Sequence, residues 1–348
     1  VMSNLLQPLI EEALKHGAYD LHIKSAFAPI MRVANEIRRM EMPAFSPKEM
    51  EQLVISLLDE GQRKTFKARG QIDCSFTIPN VIRVRANIFF QRNSLAISCR
   101  LVPPTPPDMA TLGFVQEVTD TLGKISTGMI LITGATNSGK STTAASFIDL
   151  VARNNAVHII TIEDPVEYVF PKYPHTIISQ RQIGEDTPDF HTGLNSALRQ
   201  DPDVVLIGEL RDIETVETCL KAAETGHLVV ATLHTSNAVQ SITRMINIFP
   251  SHQRDNIRFM LSSSLKCVLS QVLLPSADYK KRVLAYEMLP MLPSVSNLIR
   301  QRKIHEIHSV MRLGQRSGCI PMNTVVKDLI KRKLVRHEDV PPEYLEEK

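Results

Sequence analysis

Apolar and polar positions follow two different rules along this chain, and the change between them falls near residue 103. Before it, short apolar stretches alternate with polar positions. Residues 4–16 carry apolar side chains at helical spacing and predict an amphipathic helix. Met31–Val33 predicts part of a short strand. Ser46-Pro47-Lys48-Glu49 has the form of a capping box with proline at the first helical position, so a helix is predicted over 47–59. Cys74–Thr77, Val81–Phe90 and Leu95–Leu101 alternate or run in β-branched residues, as strands of an antiparallel meander do. Residues 1–101 therefore predict an α+β domain.

Beyond residue 103 the alternation is lost. Met129–Thr133, Val157–Ile162, Val204–Ile207 and Leu228–Thr232 are short, mainly apolar runs separated by helical segments. Strands buried on both faces have this pattern, and their alternation with helices predicts a parallel sheet of the α/β type. From Ser251 onward the periodicity predicts mostly helix, with one strand near Val283–Glu287. Between the two regimes stand Pro103, Pro104, Pro106 and Pro107, followed by Asp108. Such a run continues neither a helix nor a central strand, so residues 102–112 read as a stiff linker and 113–348 as a second domain.

Composition narrows the function classes. A length of 348 residues exceeds what one core usually fills, and 43% hydrophobic with 22% charged residues excludes wholesale disorder. Forty basic against thirty-seven acidic residues gives a net charge of +3, too weak to argue for nucleic acid or an anionic membrane. No window approaches the length of a membrane span, and the amino end lacks the layout of a signal peptide. The five cysteines are scattered and never spaced C-x-x-C, which argues against a disulfide framework or a cysteine zinc site and fits a reducing cytoplasm.

The chemistry is announced by Gly134-Ala135-Thr136-Asn137-Ser138-Gly139-Lys140-Ser141, which matches G-x-x-x-x-G-K-[ST]. An apolar strand precedes it and a helix is predicted to follow through Leu150. Backbone N–H groups in such a loop face phosphate oxygens, and the helix amino end adds partial positive charge. Gly134 to Thr142 are thus the candidate ATP-binding residues, with Lys140 reaching the β- and γ-phosphates and Ser141 holding Mg²⁺. With only 14 glycines in the chain, two spent on one loop are informative.

Ligands of open parallel sheets sit beyond the carboxyl ends of the strands. Three polar clusters fall at such places: Thr161–Glu167, Asp203–Asp212 and Gly226–Thr235. Phosphoryl transfer to water needs an acid that orients the water and charge near the metal, and Glu163 and Glu209 are the two candidates. His227 and His234 stand seven apart across a strand, which is not the spacing of a helical metal pair; for each, a role as a core or loop histidine stands beside a role in catalysis.

These four motifs, in this order, resemble those of the type IV pilus retraction ATPases, the PilT/PilU family of secretion-superfamily motors. Tyr19–Ile23, Arg83-Val84-Arg85-Ala86-Asn87 and Arg100–Pro103 extend the resemblance into the amino-terminal part. It implies a PAS-like amino domain joined to a RecA-like P-loop ATPase domain, in a homo-hexameric ring at the cytoplasmic face of the inner membrane. It implies Glu163 as the water-polarising residue and Glu209 as support for Mg²⁺, with His234 sensing the γ-phosphate or coupling the site to the ring, and His227 beside it. Arg83, Arg85 and Arg100 match arginines that reach phosphates on ring closure. The implied partners are the platform protein at the pilus base and a paralogous retraction ATPase, with no nucleic acid.

The chain also departs from the family pattern. Ala135 and Asn137 stand where proline and glycine are common, and asparagine tolerates left-handed dihedrals. Ser294–Arg300 keeps only the Asn-Leu-Ile-Arg part of the retraction motif, and Gln301 replaces its closing glutamate. Asn297–Arg300 is the candidate for transmitting motion, its apolar pair packing while Arg300 stays available. An accessory paralogue therefore remains beside the principal motor as a reading. Pilus-assembly and type II or IV secretion ATPases share the core motifs, but the pilus-extension and type II enzymes are usually longer and carry a tetracysteine site. A nucleic-acid translocase would want basic residues interleaved with aromatics, and aromatics are 5% with no tryptophan. A nucleotide-gated structural subunit is opposed by the intact Lys140, Glu163 and Glu209.

Overall fold

A computed structural model describes residues 3–33, 36–78, 82–102 and 105–345. The backbone divides into two units, Val1–Thr105 with Glu167–Val169 and Pro106–Val166 with Phe170–Lys348. Pro103 and Pro104 of the expected linker, and Val81 of an expected strand, lie outside the described residues.

The first unit runs α1 (Ser3–Lys15), β1 (Asp20–Lys24), β2 (Ile30–Val33), β3 (Glu36–Arg39), α2 (Pro47–Leu57), α3 (Glu60–Arg69), β4 (Gln71–Ile78), β5 (Ile82–Gln91) and β6 (Ser94–Val102). All six strands pair antiparallel in the order β3-β2-β1-β6-β5-β4. The capping box at Ser46 forms as expected, with Ser46 accepting from the Glu49 N–H and the Glu49 carboxylate accepting from the Ser46 N–H. The helix it starts ends at Leu57 rather than 59, because Leu58 turns extended and Asp59 opens a second capping box with Gln62. Helix α3 buries only Phe66, so its sequence carries little apolar periodicity. One face of the sheet, with Leu21, Ile23, Val84, Ala86, Ile88 and Ile97, packs into a core with Leu6, Leu9 and Ile10 of α1 and Met50 and Leu53 of α2. The other face, which the two-residue period sets apart, carries Arg83, Arg85, Asn87, Ser98 and Arg100 and is mostly polar, with Phe89, Ala96 and Val102 as apolar positions along β5 and β6.

The second unit contains α4 (Met109–Leu112), α5 (Gln116–Gly123), β7 (Gly128–Thr133), α6 (Lys140–Asn154), β8 (His158–Glu163), β9 (Ile177–Gln182), α7 (Phe190–Ala197), β10 (Val204–Ile207), α8 (Ile213–Glu224), β11 (Leu228–Leu233), α9 (Ala238–Asn247) and α10 (Arg254–Ser264). It continues with β12 (Leu265–Pro275), β13 (Arg282–Pro290), α11 (Pro293–Arg300), α12 (Ile307–Leu313) and α13 (Met322–Lys331). The sheet order is β13-β12-β7-β11-β10-β8-β9, with every pair parallel except the edge hairpin β12–β13. The four apolar runs read from the sequence are its centre, and every residue of β7, β10 and β11 is buried.

The expectation of mostly helix after Ser251 is corrected at β12. Leu265, Val268, Leu269, Val272 and Leu273 repeat at helical spacing, yet this segment is a strand, fully buried along Cys267–Gln271. A strand apolar on both faces imitates a helix face, which is the ambiguity such runs carry. No helix among the described residues is long and apolar enough to cross a membrane. All five cysteines are buried free thiols.

Candidate active site

The phosphate loop closes the carboxyl end of β7. Gly134 has φ +154° and Gly139 φ +87°, values that L side chains rarely adopt. A Cβ at Gly134 would collide with the Gln271 carbonyl oxygen and Ser138 Oγ, so the loop needs glycine there for space as well. Asn137 takes φ +63°, the left-handed conformation its side chain tolerates. Gly139 is the N-cap of α6, so Lys140, Ser141 and Thr142 form the helix's first turn. Ala135, Thr136, Asn137 and Ser141 are exposed, Thr142 is half-buried, and Lys140 is only 8% exposed. Glycine-shaped space, helix N–H groups and a guarded ammonium together fit a polyphosphate.

Lys140 is held by its own loop. Its Nζ donates to the carbonyls of Gly134 and Ala135, both at 2.8 Å, and lies 3.2 Å from His234 Nδ1. An ammonium only donates, so Nδ1 is the unprotonated ring nitrogen and His234 is the neutral Nε2–H tautomer. That Nε2 lies 3.2 Å from Glu209 Oε1 and donates to it. Glu209 Oε2 accepts from Arg211 Nε at 2.8 Å, and Arg211 Nη1 reaches Asp164 Oδ2 at 3.3 Å. The chain Lys140–His234–Glu209–Arg211–Asp164 thus crosses the ends of β7, β11, β10 and β8. Arg211 binds its proton more tightly than usual, first through the Glu209 hydrogen bond, although burial opposes this.

Glu163 ends β8 next to this chain. Its Oε1 accepts from Thr161 Oγ1 at 2.5 Å and from Gln180 Nε2 at 3.2 Å. Gly208 lets β10 approach here: its N–H donates to Ile162 O at 2.8 Å, and an added Cβ would stand 3.3 Å from Glu163 Cα. Arg211, Asp164 and Gln180 had no assignment from sequence. Arg211 and Asp164 lie inside the acidic motifs, whereas Gln180 sits on β9, a half-exposed edge strand without an apolar run.

His227 does not join this group. It precedes β11 at the amino edge of the sheet, where its carbonyl accepts from the Gly128 N–H at 2.9 Å. Its Nδ1 lies 3.1 Å from Ala222 O and 3.2 Å from Thr225 Oγ1. The six residues of β11 separate it from His234, and its contacts hold the α8–β11 turn. Arg300 is likewise not free as expected: its Nε donates to Ser262 Oγ at 2.8 Å and its guanidinium lies 5.9 Å from the Phe259 ring centre. Ile299 is fully buried core.

Arg83, Arg85 and Arg100 belong to the first unit. Register puts Arg85 between Ser75 and Arg100, and Arg100 beside Asp20. Arg83 Nη2 donates to Ser75 Oγ at 2.9 Å, Arg85 Nη1 lies 3.5 Å from Glu167 Oε1, and Arg100 Nε donates to Asp20 Oδ1 at 2.9 Å. Among the described residues no three His, Cys, Asp or Glu side chains form a metal cluster. Mg²⁺ bound through substrate phosphates needs only one or two protein oxygens, a demand that Ser141 and Glu209 can meet.

A family model for type II/IV secretion system proteins matches residues 1–328. The chain belongs to that family. It is similar to the Pseudomonas aeruginosa type IV pilus retraction ATPase PilT, at 37% identity over 95% of both chains. A twitching motility protein of Neisseria gonorrhoeae is 40% identical over 89% of this chain and 82% of its own. Among solved structures, the pilus retraction motor PilT with bound ADP superposes with a TM-score of 0.87 and 41% identity, covering 99% of this chain and 98% of that one. The fold of this type II/IV secretion family member is therefore RecA-like, with an antiparallel-sheet amino-terminal unit.

Proposed function

We propose that this protein hydrolyses ATP to drive retraction of a type IV pilus, and so twitching motility. The observation that carries the ATPase reading is the hydrogen-bonded path from Lys140 through His234 to Glu209, with Glu163 at the end of the adjoining strand. It gathers a phosphate-binding ammonium, a histidine and two acids at one edge of a parallel sheet. The named relatives carry the pilus reading.

ATP sits with its phosphates on Gly134–Thr142. Lys140 exchanges its loop carbonyls for the β- and γ-phosphates; Ser141 and Glu209 would hold Mg²⁺, which would offset charge on the phosphates. Glu163 orients the attacking water and takes its proton, while Thr161 and Gln180 fix the carboxylate. His234 joins the loop lysine to Glu209, so a change at the γ-phosphate is felt at the ends of two further strands. The working form is a homo-hexameric ring on the cytoplasmic side of the inner membrane, facing the pilus platform protein. Arg83, Arg85 and Arg100 act on nucleotide when the ring closes, and the expected linker 102–112 joins the two units, its Met109–Leu112 part folded as helix α4.

A second reading, an accessory retraction motor acting with a paralogue, is favoured by Gln301 at the place of the family motif's glutamate. Deleting the gene and counting surface pili tests both. Excess, non-retracting pili with lost surface motility support a principal motor. Normal pilus number with weakened retraction supports an accessory one, and cells without pili contradict retraction altogether.

A further inference from the structure

The hairpin β12–β13 lies beside the phosphate loop and reaches it at three points. Ser270 Oγ accepts from Thr133 Oγ1 at 2.8 Å, just before the loop begins. Gln271 Nε2 donates to Ser138 O at 2.7 Å, and Arg282 Nη1 donates to Asn137 O at 3.3 Å. Two consecutive loop carbonyls are therefore each held by a side chain of the same hairpin. Gln271 is 3% exposed, an unusual place for a glutamine, and its Oε1 and the neighbouring Ser138 Oγ are both buried without a hydrogen-bond partner. A buried amide that satisfies one end and leaves the other orphaned is a poor stabiliser of the fold. Its position calls for another explanation.

Peptide planarity supplies one. In a trans peptide the carbonyl and the following N–H point in opposite directions. Drawing Ser138 O onto Gln271 turns the Gly139 N–H away from β12. Drawing Asn137 O onto Arg282 does the same for the Ser138 N–H, which here turns back onto Ala135 O at 3.2 Å. The Gly139 N–H is a donor of the kind by which a loop of this type takes phosphate, whereas the Ser138 N–H closes the loop on itself. The hold also bears on Asn137, whose left-handed φ of +63° is less readily kept than a glycine's would be.

The geometry points to Gln271 and Arg282 as positioning residues: a two-point clamp from the β12–β13 hairpin that holds the Asn137 and Ser138 carbonyls and so aims the Gly139 N–H at the nucleotide's phosphates. The clamp rests on the nucleotide reading given above and adds two residues to it. It binds no substrate atom, so it acts through the loop on affinity for phosphate.

Calorimetric titration of the full-length protein with ADP, beside thermal melting without nucleotide, tests it. Gln271→Met keeps the buried volume, removes the donor and also removes the orphaned oxygen. It should weaken ADP binding about tenfold, the worth of one well-placed hydrogen bond, with the melting temperature little changed. Arg282→Ala, at an exposed position that cannot empty the core, should weaken ADP binding about threefold. Arg282→Lys, which keeps a donor, should restore most of that loss. A merely structural role would instead lower the melting temperature and leave ADP affinity alone. If Gln271→Met does not fold, Arg282→Ala decides. ADP affinity within about twofold of wild type in every folded variant overturns the clamp. Failure of the wild-type protein to bind ADP removes the nucleotide reading first, and the clamp with it.

Discussion

The two sheets of this protein place their polar residues by opposite rules. In the second unit, strands β7, β10 and β11 are buried along their whole length, so charge can appear only where strands end. There the side chains bond to one another, Lys140 to His234 to Glu209 to Arg211 to Asp164. In the first unit one sheet face is mostly polar, and its arginines are held one by one: Arg83 by Ser75, Arg85 by Glu167, Arg100 by Asp20. A parallel sheet covered on both faces concentrates chemistry at one edge, whereas a one-sided antiparallel sheet spreads it over a surface. The first arrangement makes a site by itself. The second supplies charges that need something brought to them.

Substitutions can break this contrast. The largest effect is expected from Lys140→Ala, which deletes the point charge on the phosphates. ATP binding should fall at least ~100-fold by equilibrium titration, and retained affinity would detach the loop from the function. Next come Arg83→Ala and Arg100→Ala. Turnover should drop at least ~10-fold while ATP affinity stays within about twofold, because guanidinium forks act on charge developing in transfer. Loss of affinity equal to loss of turnover would place these arginines with the loop instead.

His227→Ala sharpens the comparison from within the second unit. It lies at the wrong edge of the sheet, so turnover should hold while urea unfolding reports a loss of about 1 kcal/mol from its turn contacts. The smallest effect concerns the thiols. Burial pushes Cys99 and Cys267 up to about 12, and Cys219 upward as well. At pH 8 these groups are protonated, so iodoacetamide should label the native protein negligibly and all five cysteines after denaturation. Rapid native labelling would mean that a core opens.

The same contrast explains how much could be read before the structure. The four central strands, the phosphate loop and both candidate acids were legible, because unbroken apolar runs ending in polar clusters admit few other folds. The arginine face was not, since alternating charge is what any solvated strand shows; only a resemblance singled out Arg83, Arg85 and Arg100. Strand β12 was misread because its two-sided burial reproduces helical spacing, and Gln271 was hidden with it. His227 and His234 look equivalent in sequence, and only strand direction tells which one meets Lys140. Helix α3 escaped notice for the opposite reason, having one buried residue and little apolar pattern.

Hydrolysis of ATP bound at Gly134–Thr142 by the acid at the end of β8 rests on Glu163. Comparing Glu163→Gln with wild type in parallel assays of ATP binding and phosphate release by the full-length protein tests it most directly. Glu163→Gln should keep near wild-type ATP affinity with turnover reduced at least ~10²-fold, the scale of losing a positioned base. Wild-type turnover in Glu163→Gln, with the loss appearing in Glu209→Gln instead, would contradict it and move the base to Glu209.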